Sequence, residues 1–162
     1  MLGRTYIDTP IGQFELTGTS QGIQSFKRFS GKARPSEELP EVLQSAVKQL
    51  TEYFAGQREE FDLKLDWGNA TEFNKAVWAA LVQIPFGRTT SYSKIAEQIG
   101  NPPAVRAVGL ANRNNPIAII VPCHRVIAKN GDLQGYFYGL EAKRFLLQLE
   151  NPMSFAPQGS LF

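Results

Sequence analysis

Apolar and polar positions alternate along residues 5–9, 13–17 and 23–29, the period of a strand with one buried face. Pro10-Ile11-Gly12 and Thr19-Ser20-Gln21-Gly22 punctuate these runs as turns. A polar loop over residues 31–38 follows, and then the period changes. Leu43, Val47, Leu50 and Phe54 recur at spacings of three and four, which predicts an amphipathic helix over residues 40–55 that stops at Gly56. Residues 61–65 alternate again as a strand. These elements make a small α/β unit in which no group of residues suggests chemistry, so a structural role is expected for it.

Asp66-Trp67-Gly68-Asn69-Ala70 reads as the boundary, dividing the chain into residues 1–68, residues 71–150 and a tail over 151–162. Thr71 can cap a helix over 72–84 that buries Phe73, Val77, Trp78 and Leu81. Pro85-Phe86-Gly87 ends it, and a short helix over 91–98 closes at Gly100. Asn101 suits an N-cap and Pro102 a first helical position for a helix reaching Arg113. Two short helices joined by a glycine turn read as helix-turn-helix. The unbroken apolar run of residues 117–121 reads as a buried strand or apolar segment, Asn130-Gly131 as a turn, and residues 139–149 as a final helix.

Composition narrows the class. Of 162 residues, 43% are hydrophobic and 20% charged, the balance of a folded domain and not of a disordered chain. No apolar run approaches the about 18 residues of a membrane span, and the first residues lack the apolar core of a signal peptide. A cytoplasmic protein is expected, since one cysteine forms no internal disulfide and fits a reducing compartment. One Cys and one His also cannot supply a four-ligand zinc site, and no cofactor is expected. Residues 1–70 hold 8 Lys/Arg against 10 Asp/Glu, whereas residues 71–162 hold 9 against 5. The basic half suits a polyanionic partner.

That half contains the only cysteine and the only histidine, adjacent in Pro122-Cys123-His124-Arg125-Val126. A thiolate is a strong nucleophile, and imidazole takes a proton near neutral pH. Neighbours on an extended segment face opposite ways, so cooperation between Cys123 and His124 needs a turn or a bridging water. The residue types alone also allow Cys123 as a small buried hydrophobe with His124 as a satisfied neighbour.

With Asn115-Pro116 ahead of it, the pentad resembles the active-site signature of the O6-alkylguanine-DNA alkyltransferases, and the resemblance continues at matching spacing over residues 71–150. It implies an α+β chain: a small ribonuclease-H-like α/β domain, then a mostly helical, winged helix-turn-helix-like domain. It implies that O6-alkylguanine is flipped from duplex DNA and its alkyl group passed irreversibly to Cys123. Glu150 would orient His124, which would act through a water to favour the Cys123 thiolate. Tyr92 would stabilise the leaving guanine and help turn its phosphate. Arg106 would fill the gap in the duplex from a helix placed in the minor groove, and small neighbours such as Ala107 and Gly109 would let that helix approach. Arg113 and Lys94 are candidates for phosphate contacts, and Arg125 for a structural ion pair. Asn115 matches a hinge asparagine, while backbone groups of Cys123, Val126 and Phe137 would contact the base. Phe137 and Tyr138 stand where relatives often have small residues, and two rings would restrict bulky adducts.

The tail ends Gln158-Gly159-Ser160-Leu161-Phe162, similar to the short peptides with which bacterial repair proteins dock on the sliding clamp, although Gly159 departs from the usual aliphatic residue. It suggests a bacterial source; a monomer is expected. Two other readings stay open on the residues. A damage-binding alkyltransferase-like module would lack the nucleophile that Cys123 supplies. A Cys-His hydrolase would leave Tyr92, Arg106 and Asn115 without purpose.

Overall fold

The computed structural model describes residues 1–131, 133 and 136–153. The chain is α+β and divides into two compact units. One comprises residues 1–69 and 116–120, the other residues 70–115 and 121–162.

In the first unit, β1 (Gly3–Thr9), β2 (Gly12–Thr19) and β3 (Gly22–Arg28) form an antiparallel sheet in sequence order. Alternation buries Phe14 and Leu16 of β2 with Ile23 and Phe26 of β3, and the Phe14 and Phe26 rings stack at 4.7 Å. Helix α1 (Glu41–Phe54) lays Leu43, Ala46, Leu50 and Tyr53 into the same core, as its period requires.

Residues 61–65 do not form the expected strand. Only Leu65 bridges Ile23, through Ile23 N–H to the Lys64 carbonyl and Asp66 N–H to the Ile23 carbonyl, both 2.8 Å. The buried Gln49 carboxamide satisfies the backbone further up, donating to the Asp62 carbonyl at 3.1 Å and accepting from Asp62 N–H at 2.8 Å. Gly22 lets this segment approach: its φ is +146°, and a Cβ there would lie 2.9 Å from the Leu65 carbonyl carbon.

Of the two readings of the run 117–121, strand or apolar segment, the structure shows the buried apolar segment. Phe26 N–H donates to the Pro116 carbonyl at 2.9 Å and Ala118 N–H to the Phe26 carbonyl at 3.0 Å, which makes a single parallel bridge. The chain then folds back in a γ-turn, with Ile120 N–H on the Ala118 carbonyl at 2.7 Å and Ile119 at φ +70°. A β-branched residue at positive φ is strained. Burial of Ile117, Ala118, Ile119 and Ile120 compensates for that strain.

The second unit is helical. Helix α2 (Glu72–Val82) starts where Thr71 Oγ1 accepts from Asn74 N–H at 3.1 Å. It buries Val77, Trp78 and Leu81, while Phe73 is half-buried. Strand β4 (Thr90–Ser91) runs into α3 (Tyr92–Gln98), capped by Ser91 Oγ, which accepts from Lys94 N–H at 3.2 Å. Asn101 does not cap with its side chain; its carbonyl accepts from Ala104 N–H at 2.9 Å instead. Pro102–Ala104 form a 3₁₀ turn before α4 (Val105–Arg113). Trp78 Nε1 fastens α2 to α4 by donating to the buried Ala111 carbonyl at 2.9 Å. Strand β5 (Val126–Ile127) pairs in parallel with β4, and α5 (Leu140–Glu150) closes the described fold. Among the described residues, no helix is long and apolar enough to cross a membrane.

Candidate active site

Pro122 has φ −82° and ψ 65°, and Cys123 N–H reaches the Val121 carbonyl at 2.8 Å, an inverse γ-turn. A 3₁₀ turn over Cys123–Arg125 follows directly. This is the turn that adjacent Cys and His side chains require. The buried Asn115 Nδ2 donates to the Val121 carbonyl at 2.8 Å and clips together the points where the chain leaves and re-enters this unit.

The His124 ring is fully buried, with Nε2 2.7 Å from Glu150 Oε2. Arg125 grips the same carboxylate from Nε at 2.7 Å and Nη2 at 3.0 Å, and donates from Nη1 to the Ile84 carbonyl at 2.7 Å. Arg125 is therefore the ion-pair partner expected of it. Burial alone would raise the Glu150 pKa, but His124 and Arg125 outweigh it and hold the carboxyl well below the usual carboxylate range. Burial lowers the His124 pKa despite the pull of Glu150. Arg125 thus supplies the positive charge, and a neutral imidazole donates Nε2–H to Glu150 and keeps a lone pair on Nδ1.

Burial pushes the Cys123 thiol up to about 11, against the opposing Asn115 side-chain hydrogen bond and the charge of Lys143. The expected relay favours a thiolate; the resting sulfur instead keeps its proton, because removal from water costs the anion more than its neighbours return. Lys143 is fully buried, donates from Nζ to the Val126 carbonyl at 2.6 Å, and has its pKa lowered to about 8 by burial. Tyr92, at the start of α3, is raised by burial and by Cys123, so its phenol stays protonated. A Cβ on Gly109 would lie 4.0 Å from the Tyr92 ring.

The structure thus gathers Cys123, His124, Glu150, Asn115, Val126 and Tyr92. It leaves Arg106, Ala107 and Arg113 exposed on α4. Lys94 lines an open cleft of about 350 Å³ with Lys129, Thr89, Thr90, Ser91 and Ser93. Phe137 is 62% exposed, its ring 6.0 Å from the Arg113 guanidinium and 5.1 Å from the Tyr138 ring. Gln158, Leu161 and Phe162 lie outside the described residues. Sequence reasoning missed two buried polar residues, Lys143 and Asn112, whose Nδ2 donates to the Cys123 carbonyl at 3.3 Å. Their place on the inner faces of α5 and α4 was the available signal. Among the described residues no cluster could hold a metal ion.

Acid should unfold this unit in two steps. Unfolded, His124 takes a proton near 6.5 and Glu150 near 4.5, and both folded values are lower. The unfolded chain therefore binds more protons below each value, and the stabilisation present at neutral pH is lost as pH falls. Thermal melts across pH should show Tm dropping below about pH 6.5 and again in the carboxylate range, with the second step reduced in Glu150→Gln.

The family model described as 6-O-methylguanine DNA methyltransferase, DNA binding domain, matches residues 72–152, and that described as its ribonuclease-like domain matches residues 2–67. A methylated-DNA–protein-cysteine methyltransferase of Methanosarcina acetivorans is 51% identical over 148 residues, 88% of this chain and 94% of the relative. The crystal structure of Mycobacterium tuberculosis O6-methylguanine methyltransferase is 47% identical, with TM-score 0.82 over 94% of each chain. A crystal structure of the Mycobacterium tuberculosis protein in complex with DNA is 48% identical, with TM-score 0.81 over 91% of each chain. With both halves matched by family models and 51% identity over 148 residues to a relative, the chain belongs to the 6-O-methylguanine DNA methyltransferase family.

Proposed function

We propose that this protein repairs DNA by taking the alkyl group, chiefly methyl, from O6 of guanine in a duplex and keeping it on Cys123. One observation carries the reading: in a chain of this family, the sole cysteine sits in a tight turn with a neutral imidazole anchored on Glu150. Residues 71–150 do this work, and residues 1–68 are a structural companion. One monomer serves one lesion, in the cytoplasm, where reducing conditions keep a lone thiol free.

The target oxygen lies inside a base pair, so the nucleotide is turned out at about a few kcal/mol of lost stacking and pairing. Arg106 projects from α4 into the gap, while Ala107 and Gly109 keep that surface low against the DNA backbone. Arg113 and Lys94 contact phosphates. Backbone groups of Cys123, Val126 and Phe137 hold the everted base, and Asn115 fixes the loop that carries them. The thiol proton passes through a water to His124 Nδ1 as Sγ attacks the alkyl carbon. The S–C bond forms, the C–O6 bond breaks, and its electron pair stays on the purine. The protonated phenol of Tyr92 hydrogen-bonds a ring nitrogen and stabilises that charge. The ring nitrogen then takes the Tyr92 proton, the phenol is reprotonated through solvent at the expense of His124, and the purine ends as neutral guanine; the thioether has no hydrolytic exit, so each molecule acts once.

Incubation with duplex containing O6-methylguanine should add about 14 Da, one CH₂, to one molecule in one event, on the peptide containing Cys123. Multiple turnovers, or loss of the lesion with unmodified protein, would refute the proposal.

On this reading the adjacent rings of Phe137 and Tyr138, 5.1 Å apart, flank the everted base and restrict large adducts. Phe137→Ala should raise repair of O6-benzylguanine relative to O6-methylguanine by roughly tenfold, in line with one pocket side chain's share of discrimination. An unchanged ratio of rates would dispose of that role.

The tail, a tether ending in Leu161 and Phe162, docks on the bacterial sliding clamp. A fluorescent peptide of residues 151–162 should bind purified clamp and lose that binding with Leu161→Ala. Equal binding by both peptides would remove this partner.

A further inference from the structure

Asn112 stands in the last turn of α4 with 2% of its surface exposed. Its Nδ2 is committed to the Cys123 carbonyl. Turning the amide over would set oxygen against oxygen, so the orientation is determined. Its Oδ1 is sealed from solvent without a partner among the described residues, and so is His124 Nδ1. Buried polar atoms in native proteins are paired, with protein or with ordered water. Both atoms are acceptors: an amide oxygen, and the lone pair of an imidazole whose Nε2–H is given to Glu150. Two acceptors cannot satisfy one another, but a molecule with two hydrogens can satisfy both. The amide oxygen lies about 2.2 Å from its own nitrogen by covalent geometry, which keeps it beside the Cys123–His124 peptide.

We infer that Asn112 is a positioning residue for proton transfer from Cys123: one buried water gives a hydrogen to Asn112 Oδ1 and the other to His124 Nδ1, and turns its lone pair to the thiol. The inference rests on the reading of Cys123 as alkyl acceptor. When Sγ attacks, its proton moves to the water, and the hydrogen facing His124 moves to Nδ1. The hydrogen held by Asn112 stays where it is. Asn112 thus selects which hydrogen leaves and keeps the water's lone pair on sulfur. Asn115 holds the loop and touches the thiol, and Asn112 holds the water. The charged and titratable groups around this point are Tyr92 from α3, Lys143 and Glu150 from α5, and Arg125 in the turn itself.

The test is single-turnover transfer from O6-methylguanine duplex at saturating DNA, from about pH 6 to about pH 10, with native protein, Asn112→Leu and Asn112→Ala. The relay matters most where hydroxide is scarce. Asn112→Leu should be slower by roughly 30-fold at neutral pH, and the deficit should shrink to about threefold as pH rises to about 10 and hydroxide takes a growing share of the deprotonation. DNA affinity should stay within about twofold. Asn112→Ala deletes the same bonds without adding bulk, and it is the variant to read if leucine does not fold; the same recovery with pH is expected. A deficit that is constant across pH would mean that Asn112 merely tethers α4, and native rates would mean that it does nothing. Either result overturns the inference while an adduct on Cys123 leaves the repair reading intact. Absence of the adduct from native protein would sink the repair reading itself.

Discussion

Cys123→Ser should abolish alkyl transfer, by a factor of at least about 10⁴, while binding to damaged duplex stays within about twofold. The loss follows from the nucleophile. A hydroxyl is far harder to ionise than a thiol, and its oxygen attacks saturated carbon poorly beside soft, polarisable sulfur. The thiol is already pushed up to about 11 by burial, so an alcohol in the same cavity gains nothing from the site. The fold should persist. Serine is close in size, the backbone bond from residue 123 to the Val121 carbonyl remains, and Asn112 still meets the residue 123 carbonyl. Intact-mass measurement should show no adduct, and gel-shift titration should show native affinity. A serine variant that still clears the lesion would remove Cys123 from the mechanism.

Glu150→Gln should cost about 3 kcal/mol of stability and slow transfer by roughly 100-fold. Glu150 carries two jobs on one carboxylate. Its charge balances Arg125, which is buried and anchored on the Ile84 carbonyl. Glutamine leaves that guanidinium with a neutral partner in a low-dielectric site, the case in which breaking a buried pair is costly. Its second job is to fix the imidazole. An amide that accepts from Arg125 presents its NH₂ to His124 Nε2 and forces the ring proton onto Nδ1. Nδ1 then cannot accept a proton from the cysteine side. Denaturant unfolding reads the first effect and single-turnover kinetics the second. A variant with native stability and native rate would show that neither charge nor tautomer matters here.

Much of the fold was legible before any coordinates. The strands β1–β3 show their alternation because one sheet face is buried, and α1 shows its period because one stripe is. Thr71 announces a helix start because a hydroxyl pairs with an orphan N–H two or three positions on. The adjacency of Cys123 and His124, and their spacing to Glu150, Tyr92 and Arg106, carried the family resemblance. Residues 61–65 misled, whereas residues 117–121 left strand and buried apolar segment both open. The first alternates, but Gln49 occupies the backbone groups a neighbouring strand would need. The second is apolar throughout, so no period distinguishes a ladder from a bridge followed by a γ-turn.

Residue type and spacing along the chain therefore mark most of the elements, residues 61–65 excepted, and the side chains able to do chemistry. Their protonation is settled by the folded arrangement. Whether Cys123 keeps its proton, whether His124 is neutral and whether Lys143 lies inside depend on how much water each loses and which charge faces it. Those neighbours, Arg125 with Glu150 and Asn112 with the Cys123 carbonyl, meet across 25 and 11 positions of chain. Desolvation and Coulomb energy follow distance in space, and no local pattern of residues encodes it.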